Sequence, residues 1–232
     1  GQLKPLYSVT YKDGEATGKK IAVRIKVTEE FEEFTDFLND VLMRARRNLV
    51  RAISNEVVNG EGGASHLNGI TTAAPGYTLT ALNGEVATPN IIDAILAIAT
   101  QIRSLHFSPN VAFVNPLDYS KIQFETDSNG RPLGAESIAI LGDIALVKSD
   151  SIAQGHVLVM DNRYWKLFVS DIIVKEGYGV QKVGEEYYSD LELNMRTLIF
   201  EAKNVLSFIP STEAGSVCYE AVATVLSAIK KV

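Results

Sequence analysis

The chain has 232 residues, of which 46% are hydrophobic, which is enough for one large domain or two small ones with a buried core. Its formal net charge is −6 and its densest basic cluster, Arg44–Arg47, holds only three arginines, a poor pattern for gripping nucleic acid phosphates. The single cysteine, Cys218, excludes an internal disulfide framework and suits a reducing compartment.

Taken in chain order, Gly1–Pro5 leads directly into polar, strand-like sequence and does not read as a signal peptide. Leu6–Tyr11 and Lys20–Val27 alternate apolar and polar residues, and Lys12–Lys19 between them is turn-rich, so a β-hairpin is expected. A terminal hairpin without a partner sheet is marginal and needs another surface, or another subunit, to lie against. Phe31, Phe34, Leu38, Val41, Leu42, Ala45, Leu49, Ala52, Ile53 and Val57 then advance in steps of three and four. That is one apolar face of a long helix, about 25 residues and about 37 Å. Thr28 or Thr35 can cap it, Glu29–Glu33 and Asp36 favour its positive end, and Arg44, Arg46, Arg47 and Arg51 fall in its C-terminal half. Asn59–Gly63 stops it.

Residues 64–88 are loop-like. Pro89 stands near the first turn of a second helix, Asn90–Ser104. Its apolar run Ile91–Ala99 is broken by Asp93 and is too short to span a bilayer. Val111–Val114 is a short buried strand, and Asn115–Pro116 opens a short helix through Phe124. Thr126–Gly134 is a polar excursion; Ile138–Val147, His156–Met160 and Trp165–Val174 are expected strands. Residues 68–183 thus alternate helix and strand as a compact α/β unit. Tyr187–Ile209 returns to β-type alternation, with Leu198, Phe200, Ala202, Val205 and Phe208 as its buried set. After the break at Pro210–Gly215, Ser216–Val232 is a helix or a strand followed by a helix.

Several residues invite a chemical reading. The glycine-rich Asn59–Gly63 follows a helix, whereas a phosphate cradle follows a strand and opens a helix, so a helix stop and crossover is the better reading. His66, His106 and His156 lack both ligand spacing and a catalytic motif around them. Glu29–Glu33 is a solvated, dipole-favoured helix start rather than a metal site. Arg44, Arg46, Arg47 and Arg51 can face DNA or a partner, and inter-subunit ion pairs suit them better. No cofactor or metal is expected.

Four segments in order resemble the major capsid protein of tailed bacteriophages with the Hong Kong-type fold. Leu3–Pro5 with Ser8–Tyr11 is similar to the family's extended-loop hairpin, with Ser8 in place of the usual acid. Val58–Gly62 and Leu67–Ile70 resemble the exit of its spine helix. Phe113–Tyr119 resembles its strand-to-helix turn, and Asp127, Gly130, Arg131 and Leu133 match the segment that follows. The family's N-terminal arm and first hairpin strand have no counterpart here, so the chain is expected to begin inside the extended loop.

The resemblance implies an α+β fold with an elongated peripheral domain, carrying the spine helix, and a compact α/β axial domain. Residues 1–19 would be the remnant of the extended loop, 20–67 and 184–210 the peripheral domain, 68–183 the axial domain, and 211–232 a tail of no assigned place. It implies a structural, non-enzymatic protein without cofactors. Its copies would form hexamers and pentamers and close into an icosahedral phage or prophage shell. The shell would enclose DNA without sequence-specific binding, with scaffolding protein and portal as further partners and no membrane. It would be a virion capsid assembled in the bacterial host cytoplasm. Lys4, Pro5, Tyr11, Arg44, Arg47 and Arg51 are the expected subunit-interface residues. Part of the family cross-links its shells by an isopeptide bond, and the matching trio here is Lys4, Asn194 and Glu201. In that chemistry a desolvated amine attacks the side-chain amide while a buried carboxylate takes its proton. Against it, an offset of seven along a strand sets Asn194 and Glu201 on opposite faces. Two rivals are an encapsulin-like nanocompartment shell and a small-molecule-binding or hydrolytic α/β enzyme built on residues 68–183.

Overall fold

The computed structural model describes residues 18–28, 35–124, 138, 141–183 and 186–231. The expected strand Leu6–Tyr11, the acidic run Glu29–Glu33, the Asp127–Leu133 segment and the interface candidates Lys4, Pro5 and Tyr11 lie outside them.

Strand β1 (Lys19–Thr28) exposes Lys20, Ala22 and Arg24 and turns Ile21, Val23 and Ile25 inward, as its alternation requires. It pairs antiparallel with β9 (Met195–Phe208), from Lys19 opposite Val205 to Thr28 opposite Met195. The other edge of β9 takes β5 (Lys166–Val169) and β6 (Ile172–Gly177), giving a four-stranded sheet. Helix α1 (Thr35–Asn59) joins this sheet through a single stripe. Ala45, Leu49, Ile53 and Val57 share one core with Val27, Leu198, Phe200, Ala202 and Val205.

The α1 exit is a close backbone crossing. Gly69 N–H donates to Gly60 O at 2.8 Å, and Gly62 N–H to Leu67 O at 2.7 Å. A Cβ on Gly60 would stand 2.3 Å from Leu67 O, and one on Gly69 would stand 2.3 Å from Gly60 N. Only glycine lets these two strands of chain approach so closely. The short helix α2 (Ile70–Ala73) follows at once, with Thr71 Oγ1 donating to Val58 O at 2.8 Å.

Helix α3 (Ile91–Ser104) begins at Asn90, which accepts from Asp93 N–H while Asp93 accepts from Asn90 N–H, a reciprocal capping box. Strand β2 (Val111–Val114) leads into α4 (Pro116–Gln123), capped by Asn115 and started by Pro116. With β3 (Ala145–Lys148), β4 (His156–Met160) and β10 (Val217–Ala221), strand β2 forms a second sheet in the order β10-β4-β2-β3. Only the β2–β3 pair is parallel. In β4, Val157 and Val159 pack with α3 and with α5 (Val222–Ile229), while Leu158 and Met160 join the core under α1. Strand β4 is therefore apolar at every position from Val157 to Met160, because both faces of its sheet are covered. Both sheets contribute to the core under α1. Hairpin β7 (Val180–Val183) and β8 (Glu186–Ser189) stands apart as a two-stranded ribbon.

Three differences from the sequence reading follow from pairing. Residues 166–177, expected within the unit 68–183, hydrogen-bond to β9 in the first sheet. Residues 211–232, expected as an unplaced tail, insert β10 beside β4 and lay α5 on α3. Of the expected strand Ile138–Val147, regular pairing begins only at Ala145. Alternation announces a strand but does not name its partner, and here both partners are distant in sequence.

Candidate assembly surfaces

Asp190 follows β8 and ties the hairpin to the first sheet. Its side chain is fully buried. It accepts from Lys26 Nζ at 2.5 Å, Thr197 Oγ1 at 2.6 Å and Gly179 N–H at 2.8 Å. The Lys26 ammonium, then the Thr197 hydroxyl, hold its carboxyl well below the ordinary range, at about 2. A carboxyl depressed from 3.8 to about 2 stabilises the fold fully above pH 3.8 and loses that contribution as the pH falls towards 2. Thermal melts between pH 5 and pH 2 are expected to show a steep loss of stability that Asp190→Asn flattens, at the cost of lower stability at neutral pH. Equal slopes in the two proteins would contradict this role.

Glu201, one of the expected cross-linking trio, is 4% exposed in the middle of β9. Lys175 Nζ lies 2.5 Å from its Oε1 and Lys20 Nζ 3.8 Å from its Oε2. The Lys175 contact comes first among the causes that lower its pKa, against the opposing effect of burial. Asn194 is exposed in the turn before β9, in the left-handed region with φ 51°. Seven residues of extended chain separate the two by on the order of 20 Å, so the structure does not bring them together. Lys4 lies outside the described residues.

Arg44, Arg47 and Arg51 are brought together. They stand on the solvent face of α1, opposite its buried stripe. Arg44 pairs with Asp40 at 2.8 Å and Arg51 with Asp150 at 3.5 Å, both exposed pairs of small energetic weight. Arg47, Arg51 and Lys148–Ser151 border a groove of about 700 Å³ between α1 and the β3–β4 loop.

A further feature, a set of exposed apolar side chains, is one the sequence reading did not single out. In β5 the consecutive residues Leu167, Phe168 and Val169 are 42%, 59% and 47% exposed, so both faces of the strand are open. Ile172 and Val174 in β6, Tyr178, Val180 and Tyr187 around the hairpin, and Leu191 and Leu193 after it extend the surface. Isolated exposed apolar residues are ordinary; a series of them along the outer strands of a sheet and beyond marks an interaction surface. The signal was present in the sequence, since apolar residues at consecutive strand positions need cover on both faces. No helix among the described residues is long and apolar enough to cross a membrane.

The family model described as "Phage capsid family" matches residues 4–166. No curated protein matches the chain. Among solved structures, the chain is similar to one from Microbacterium phage Oxtober96, at 18% identity and a TM-score of 0.65 over 94% of this chain and 77% of that one. It is similar to one from Mycobacterium phage Bobi, at 16% identity and a TM-score of 0.65 over 94% and 76%. It also resembles the capsid of an empty GTA particle, at 14% identity and a TM-score of 0.62 over 88% and 72%. At these identities the structures establish a shared fold.

Proposed function

The chain belongs to the phage capsid family and is a structural protein of a capsid shell, and from that premise we propose how it builds one. Copies of the chain associate into capsomers. These are hexamers and pentamers that close into an icosahedral shell, assembled in the host cytoplasm and carried in the virion. DNA is enclosed without sequence-specific contact, and a scaffolding protein and a portal are its other partners. The protein works by geometry, burying self-complementary edges until closed symmetry ends growth. The family match favours this reading over a cellular nanocompartment shell and over an α/β enzyme.

We assign the first sheet, α1 and the β7–β8 hairpin to the peripheral domain, and the second sheet with α3 and α5 to the axial domain. For Glu201 we propose a structural role, as the buried carboxylate that draws Lys20 and Lys175 onto β9.

The observation that carries the assembly reading is the open apolar side chains of the outer strands β5 and β6 of the first sheet. Copies of the chain supply the missing cover for β5 and β6. Replacing Phe168 and Val174 together by glutamate sets charge where apolar surface must be buried. The double variant is expected to keep its circular dichroism and melting behaviour, because both side chains are exposed in the single chain. It is expected to lose assembly, as read by sedimentation velocity. Wild-type assembly by the variant would remove this surface from the mechanism.

A further inference from the structure

Resting on the shell reading, we infer that two copies of the chain pair through the solvent face of α1, antiparallel about a two-fold axis passing beside Met43. Positions 40, 43, 47 and 50 advance by three and four residues and form one stripe along the helix. The stripe is mixed. Met43 and Val50 are 56% and 53% exposed, apolar positions on a face that otherwise carries charge.

The order of charge decides the orientation. Asp40 lies toward the N-terminal end of the stripe, and Arg44, Arg47 and Arg51 follow it. A two-fold axis between positions 43 and 44 sets Asp40 opposite the partner's Arg47, and by symmetry Arg47 opposite the partner's Asp40. A parallel pairing would instead face arginine with arginine. Arg47 makes no ion pair among the described residues, so its charge is available. A recess of about 580 Å³ bordered by Asp40, Arg44, Arg47, Asn48 and Arg51 leaves room for the facing side chains. A polyanion fits this face less well, because Asp40 and two exposed apolar side chains interrupt the arginines. Electrostatic complementarity of this kind fixes register and excludes other orientations.

The test uses the full chain. Met43→Cys places a thiol at the axis, and the native Cys218 is buried and does not compete. Mild oxidation of assembled particles is expected to give a covalent dimer on non-reducing gels. Val50→Cys, about 10 Å along the helix from the axis, is expected to stay monomeric under the same treatment. Asp40→Arg and Arg47→Asp each place like charges together twice and are expected to raise the concentration needed for association by about tenfold. The double variant carrying both changes restores the two pairs and returns association to the wild-type range. If the wild type assembles but Met43→Cys gives no dimer, or if the double variant associates no better than the singles, the pairing is overturned while the shell reading stands. If the wild type forms no higher species at all, the shell reading fails and the pairing with it.

Discussion

Gly69→Ala is expected to lower the unfolding midpoint by roughly 6–12 °C, the equivalent of about 3 kcal/mol for a chain of this size. The added Cβ would meet Gly60 N at 2.3 Å, Val58 O at 2.7 Å and Asn59 C at 2.8 Å. All three are backbone atoms at the end of a helix whose core stripe is buried, so no flexible side chain can swing away. The Gly69 N–H to Gly60 O bond would have to break, and α1 would have to shift against the sheet. Gly63→Ala is the control for loss of glycine itself: nothing lies within 4 Å of its Cβ position, although its φ of 87° carries its own cost. A Gly69→Ala protein that melts within a degree or two of wild type would contradict the crossing described above.

Phe200→Ala is expected to cost about 3–5 kcal/mol in stability, because it deletes a large buried ring and leaves a cavity. Phe200 is 1% exposed and packs in the core that joins α1 to both sheets. Phe168→Ala on a neighbouring strand is the paired comparison. Its side chain is 59% exposed, so its removal is expected to change the stability of the single chain by less than about 0.5 kcal/mol. Chemical denaturation of both proteins separates the two expectations. Similar losses would mean that Phe168 is not open in the isolated chain.

Much of the fold was legible in local pattern. The long stripe from Val41 to Val57 forecast α1, and the stretch Asn59–Gly63 forecast its stop. Asn115–Pro116 forecast both the cap and the start of α4. Which strands join was not legible. Lys166–Val169 and Ile172–Gly177 lie near β4 in sequence, yet they pair with β9, because the complementary edge is supplied by residues 197–208. The C-terminal segment was likewise readable as a strand and helix, and its place beside β4 was not. Of the site, the spacing of Arg44, Arg47 and Arg51 set them on one helix face in advance. The open apolar surface was hidden, since the sequence marks Leu167–Val169 as needing cover on both sides but not that this cover is left to another molecule. Buried charges such as Asp190 were also invisible, as their partners Lys26, Gly179 and Thr197 converge only through tertiary pairing.

If this chain is made to be covered by copies of itself, small-angle X-ray scattering across a concentration series will register it. The apparent mass and radius of gyration are expected to climb with concentration, through capsomer-sized species to closed particles. A radius of gyration that stays near the value for one compact chain of this length, about 17 Å, at every concentration would contradict it.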